Sequence, residues 1–465
     1  MTASRRMFLK SLAASVACAS PMANRMNVLT AHAAETSGYK ALVCVFLFGG
    51  MDNHDVLLPF DQGSYDAFAQ LRSSFISQQG ASRQRQSLLP LSPATTTAAQ
   101  GRQVALPPEM PNLKSLFDRG DAAIVGNVGP LIEPVTRQTF ESGAARIPLR
   151  LFSHNDQQAT WQASAPEGAQ FGWGGLFADA MLNAGANSAQ PQFTTIASEE
   201  VGPFLTGRSA VPYRVSPGGA ARVFLLEDLV GDMQSDRADL AAAVRQQLAA
   251  RSYRGDHILE QDIASAFDGG LATNDVYDAA RQGAVPLATA FSTGPLSDQL
   301  RAIAETISVR DQLFASRQIF FAGLGGFDTH SAQATSLPTL LAELDRAIGA
   351  FQSAMAEQGL ADSVTLFTAS DFGRTLAVNG DGTDHGWGGH HFVVGGGVNG
   401  GDIYGSVPAP ELGHSADSGG GRLIPSMAVE QYAAQLGSWF GLSNTELATA
   451  LPNLGNFDPV QSRFI

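Results

Sequence analysis

A chain of 465 residues with 43 acidic against 29 basic side chains carries a formal net charge of −14. That surface repels nucleic acid and anionic lipid, so neither is an expected partner. Forty-nine glycines and a charged fraction of 15% fit a large α/β enzyme with many tight loops.

The first residues read as a targeting segment. Ser4-Arg5-Arg6-Met7-Phe8-Leu9-Lys10 is a twin-arginine signal, followed by a mildly apolar Ala/Ser-rich stretch and an A-x-A cleavage site at Ala31-His32-Ala33. The twin-arginine translocation machinery is therefore an expected partner, and the expected location is periplasmic or secreted. That route carries folded proteins, so a metal would be loaded before export. Removing residues 1–33 takes away Arg5, Arg6, Lys10 and Arg25 and no acid, leaving 25 basic and 43 acidic residues, a net charge near −18. An anionic substrate would then need a local positive centre such as a metal. Cys18 leaves with the signal. Cys44 alone cannot form an intramolecular disulfide, and within ALVCVFLF it reads as a small core residue. No other stretch approaches the ~20 apolar residues of a membrane span.

Residues 34–465 read as one domain, without a Pro/Ser linker or a repeat. Ala41 to Phe48 is a continuous apolar run, as in a parallel strand buried on both faces. It ends in Gly49-Gly50-Met51-Asp52, which puts Asp52 at the strand's carboxyl end, as a site residue or as a helix cap. Ser73 to Gln103 is rich in Ser, Thr, Gln and Ala and reads as a surface loop. A helix is expected over Leu113–Asp118 and a second buried strand over Ala122–Val128. Ser153 and His154 then open a helix-like segment. A hydroxyl there would face free N–H groups that favour an anion, and Ser is equally the usual N-cap. Residues 192–295 read as a less regular, partly helical insertion, with an amphipathic helix over Asp232–Arg251 and His257 on the surface. Further on, Leu296–Arg317 reads as helix and Gln318–Leu324 as strand. Leu337–Met355 reads as helix with Pro338 in its first turn, Thr365–Thr368 as strand, His390–Val394 as strand and Ser426–Phe440 as helix. The order gives an α/β sandwich around a largely parallel sheet.

Candidate chemistry gathers at strand ends. Of nine histidines, three lie in Phe367–His391, where a strand runs into Asp371 and a Gly-rich loop carrying Asp381, Asp384, His385, His390 and His391. His330 follows a similar apolar strand and Asp328. Open α/β sheets bind ligands outside the carboxyl ends of their strands, and carboxylates with imidazoles are the usual donors to a divalent metal. Asp52, Asp328 and Asp371 would be three strand-end carboxylates of one site. Arg374 would pair with a non-bridging ester oxygen or form a structural salt bridge.

The motifs FLFGGMDN, GGFDTH, SDFGRT, GTDHGWGGHHFVVGG and the C-terminal VEQYAAQLGSWFGLSNTELATALPNLGNF resemble a large bacterial family of twin-arginine-exported proteins of unknown function. That family looks like a branch of the alkaline phosphatase-like (sulfatase-like) superfamily. The resemblance implies a mostly parallel sheet between helices, with one or two divalent metals (zinc, calcium, magnesium or manganese). It implies metal ligands at Asp52, Asp328, His330, Asp371 and His385, and a nucleophile near Ser153 with His154 beside it. Three features depart from the superfamily pattern. Asp328 and His330 are two residues apart rather than four. Phe372 stands where a His ligand is expected, with His390 or His391 as replacement. Asn155 replaces the Phe of the common Ser-His-Phe.

The function expected is metal-dependent hydrolysis of phosphate or sulfate esters outside the cytoplasm, on a small anionic ester. The alternative is a non-catalytic periplasmic binding or assembly protein on the same fold. A dinucleotide fingerprint, C-x-x-C-H and Fe–S cysteine spacing are all missing, which places a redox enzyme third.

Overall fold

Strand β1, Lys40–Leu47, sends alternate side chains into two separate cores. Ala41, Val43, Val45 and Leu47 join one hydrophobic cluster, and Leu42, Cys44 and Phe46 the other. A run without polar interruption is what a strand covered on both sides requires. The structure is a computed structural model that describes residues 34–198, 202–220 and 258–465, with 243 and 246. The expected export signal, most of the helix expected over Asp232–Arg251, and His257 lie outside the described residues.

Among the described residues ten strands form one sheet. The others are β2 (Ala122–Gly129), β3 (Thr195–Ala197), β4 (Tyr213–Ser216), β5 (Gly219–Ala220), β6 (Arg317–Leu324), β7 (Val364–Ser370), β8 (Gly389–Val394), β9 (Ile403–Gly405) and β10 (Met427–Ala428). Their order is β9-β2-β8-β7-β1-β6-β3-β4-β5, with β10 also paired to β2. The centre, β7-β1-β6-β3-β4, is parallel. β8 runs antiparallel to both β7 and β2.

Helices α1 (Gln62–Leu71) and α2 (Ser73–Gln79) precede the sheet-covering helices in the chain; one face of the sheet is covered by α3 (Pro111–Arg119), α6 (Pro295–Ser308) and α7 (Gln333–Glu357). The other is covered by α4 (His154–Ala163), α5 (Trp173–Asn183) and α8 (Val429–Phe440). α6 shows the pattern, burying one apolar stripe of Leu296, Leu300, Ile303 and Ile307. Each such side chain contributes about 1.5–3 kcal/mol by leaving water. The expected α/β sandwich, with a largely parallel sheet and helices on both faces, is therefore what the chain forms. No described helix is long and apolar enough to cross a membrane.

Three local expectations fail. The helix expected over Leu296–Arg317 ends at Ser308, and Arg317 opens β6. The stretch read as a surface loop is partly structured: Ser73–Gln79 is helical with Phe75 buried, and Leu89–Pro90 pairs with Val104–Leu106. Its polar composition hid Arg83, which is fully buried on Asp55 and also paired with Glu109. Pro338 is not in the first turn of α7, because that helix begins five residues earlier at Gln333.

Candidate metal centre

The register of three parallel strands builds the site. Leu47 at the end of β1 pairs with Ser370 of β7 and with Leu324 of β6, so the three carboxyl ends lie side by side. Each chain then turns at once into a loop bearing an acid, and the loops pack very closely. Gly49 has φ +113°, and a Cβ there would sit 2.2 Å from the Asp328 nitrogen. Gly50, at φ +90°, lies under the Phe372 ring, 2.5 Å from where its Cβ would be. Only glycine fits both constraints.

Four side chains meet above these ends. Asp328 Oδ2 lies 3.5 Å from His154 Nε2, and Asp328 Oδ1 lies 3.1 Å from His330 Nε2 and 3.3 Å from His385 Nε2. Donor atoms of His154, Asp328 and His385 all fall within 4.8 Å of one another. His330 Nε2 is 2.7 Å from His385 Nε2. The imidazoles are braced from behind. His154 Nδ1 is 2.6 Å from Asp371 Oδ2, and His385 Nδ1 is 2.8 Å from the Phe152 carbonyl. His330 Nδ1 faces Asp384 at 3.8 Å. A partner on Nδ1 fixes the tautomer and leaves Nε2 free for a metal. His154 Nε2 is buried and has no hydrogen-bond partner, the orphaned acceptor that a cation would satisfy. The donor set therefore fits a divalent metal.

The electrostatics follow. The Asp371 hydrogen bond raises the pKa of His154 despite burial, with the charges of Asp371 and Asp328 adding to it. Burial lowers that of His385. Burial would raise the Asp328 carboxyl, but the hydrogen bond and charge of Arg374 outweigh it and hold the carboxyl low. Arg374 is fully buried. It donates to Asp328 Oδ1 at 3.0 Å, to Gly49 O at 3.1 Å and to Thr383 O at 2.5 Å. It is thus the structural salt bridge of the two readings, and a fixed positive charge beneath the site.

The sequence-predicted residues separate accordingly. Asp328, His330 and His385 come together. His154, expected beside a nucleophile, joins them as a ligand-type side chain. Asp371 stands one layer back: its Oδ1 accepts from Gly49 N at 3.1 Å and its Oδ2 from Gln158 at 2.8 Å as well as meeting His154. Asp52 does not join. Its carboxylate takes two hydrogen bonds from buried Arg72 and one from Gln333, and caps a short helix at His54 N. The helix-cap reading holds, and an Arg pair leaves no lone pair directed at a metal. His390 is also elsewhere. Its Nδ1 accepts from Asn127 N at 3.0 Å, and burial pushes its pKa down to about 3. It therefore does not replace the missing imidazole, and neither does His391, buried against Trp161. Phe372 takes a packing role instead, stacked on His385 at 4.5 Å and against His154 at 4.9 Å. Ser153 is the N-cap of α4 but makes no side-chain capping bond there, and among the described residues its hydroxyl hydrogen-bonds none of the four ligand-type side chains.

Arg72, Gln333 and Gln158 escaped the sequence reading. For Gln158 a signal was present: it lies four residues after His154 in the same helix, hence on the same face. Arg72 and Gln333 carried no such signal.

The chain belongs to the family described as "Protein of unknown function (DUF1501)", whose model matches residues 39–419. No curated protein matches it. Among solved structures it is similar to Ps i-CgsB, at 10% identity and TM-score 0.37, over 91% of this chain and 77% of that one. The same protein in complex with k-i-k-neocarrahexaose gives 10% identity and TM-score 0.34 over the same shares. PsFucS1 sulfatase from Pseudoalteromonas sp. gives 9% and 0.34, over 91% and 73%.

Proposed function

We propose that the protein is an exported hydrolase of phosphate or sulfate esters, built on the alkaline phosphatase-like plan. It would work with one divalent cation held by His154, His330, His385 and Asp328. The convergence of three imidazole Nε2 atoms on the Asp328 carboxylate carries this reading. Three nitrogens and one carboxylate suit zinc better than calcium or magnesium. When bound, the cation would supply Lewis acidity toward an ester oxygen.

The chain's own residues do the rest. Asp371 and the Phe152 carbonyl aim His154 and His385. Arg374 pins Asp328 and adds a fixed positive charge that favours an anionic ester in an otherwise acidic protein. The Phe372 ring closes the space behind two ligands to water. A single cation is what the carboxylates support, since Asp52 is paired with Arg72 and Asp371 already meets Gly49 N, Gln158 and His154. Among the described residues the Ser153 hydroxyl hydrogen-bonds none of the four ligand-type side chains, which favours water over a serine nucleophile. The same arrangement equally suits a second reading, a binding protein without turnover.

Elemental analysis of the exported, folded protein tests the first half: one equivalent of metal is expected, and none after Asp328→Ala. Turnover of an aryl phosphate, an aryl phosphodiester and an aryl sulfate tests the second. Metal without turnover on all three would leave the binding reading. Absence of metal would end the hydrolase reading.

A further inference from the structure

We infer that the cavity beside the cluster is a subsite for the uncharged, hydroxyl-rich body of the ester, a carbohydrate rather than a nucleotide or a lipid. This role as a substrate subsite rests on the hydrolase reading above. The cavity holds about 630 Å³ and lies over the ends of β1 and β6, walled by α4. That volume suits an organic group of several rings. It shares a wall with the cluster, since Gln158 lines it and donates to Asp371, the carboxylate that aims His154.

The wall chemistry selects the occupant. Phe48 offers an aromatic face, and Asn155, Gln158 and Gln162 offer amides. Among the described residues, Glu167 is the one charged side chain on the wall. A second phosphate would meet that carboxylate and no cation, which counts against nucleotides. An acyl chain would strand the amides without partners. The amides keep spare capacity of both kinds. Gln158 spends its nitrogen on Asp371, leaving its carbonyl oxygen as an acceptor. Gln162 spends its oxygen on Phe204 N, leaving its nitrogen as a donor, although the residue is only 3% exposed. Adjacent unspent donors and acceptors match hydroxyl groups, which both give and take hydrogen bonds. The Phe48 ring complements the C–H face of a sugar.

Gly325 provides the test. A Cβ there meets nothing within 4 Å, and its backbone lies outside the left-handed region, so Gly325→Trp would place an indole in open space at the cavity wall. Metal-free wild-type protein would be applied to an array of neutral oligosaccharides, nucleotides and inositol phosphates. Retention of neutral oligosaccharides is expected, weakened at least about tenfold in Gly325→Trp with the melting temperature kept. Asn155→Ala, at an exposed position, gives a second variant with weakened retention. Retention of the polyanions instead, no retention, or binding unchanged in both variants would overturn the inference. Because binding is read without metal or turnover, failure of the hydrolase reading would leave this result standing, and failure here would leave the metal chemistry intact.

Discussion

His154 Nδ1 lies 2.6 Å from Asp371 Oδ2, across 217 positions of sequence, and this contact decides which imidazole nitrogen is free. Asp371 is wholly buried and accepts from Gly49 N and Gln158 as well. A carboxylate can accept all three bonds, whereas an amide must turn a donor toward some of them.

Asp371→Asn should therefore favour the wrong tautomer of His154, with the proton on Nε2. Zinc affinity, measured by competition with a chromophoric chelator, should fall about 10–100-fold, as expected when a ligand's outer partner is lost. An unchanged affinity would show that Asp371 does not aim His154.

Asp52 gives the opposite pattern. Its removal strands the Arg72 guanidinium in the interior, where both side chains are at most 1% exposed. Breaking such a buried pair costs about 3–5 kcal/mol. Asp52→Asn should lower urea stability by an amount of that order while metal stoichiometry stays at one. Lost metal at unchanged stability would restore Asp52 as a ligand, as the superfamily resemblance implies.

The contrast between these two aspartates marks how far the sequence could be read. Both end an apolar strand, and strand ends are visible as the last residue of an apolar run, so the sheet and the place of the site were legible. What each carboxylate touches was not. Asp52 meets Arg72 and Gln333, at 20 and 281 positions' separation, through tertiary packing that no local pattern announces. His390 misled for a similar reason. It lies among loop histidines in sequence, but the chain has already entered β8, whose alternation sends His390 and His391 to opposite faces of the sheet.

The raised pKa of His154, caused first by its bond to Asp371, carries a pH dependence. A raised folded value means the contact stabilises fully below the ordinary value of 6.5 and fades as pH climbs through the raised value. Metal-free protein should lose stability over that interval. Metal binding needs the neutral ring and should strengthen there. Melting temperatures of metal-free and metal-loaded protein should diverge as pH rises above 6.5. A gap independent of pH would mean that His154 neither pairs with Asp371 nor binds metal.

His391 predicts the acid limit. It is buried between Trp161 and Tyr432, with burial depressing its pKa from 6.5 to about 3. A depressed folded value means the neutral ring is compatible with the fold above 6.5, and stability is lost as pH falls from there toward 3. The full loss from this one ring is on the order of 5 kcal/mol. His391→Phe keeps a flat ring in the aromatic cluster and removes the titration. It gives up a 3.4 Å contact with the Thr368 hydroxyl, which still accepts from Phe392 N. Stability at neutral pH should change by no more than about 1 kcal/mol. The acid midpoint followed by circular dichroism should move lower, only in part, because His54 and His390 are depressed to about 3 in the same way. An acid midpoint identical in the two proteins would mean that His391 is already protonated, or accessible to water, in the folded state.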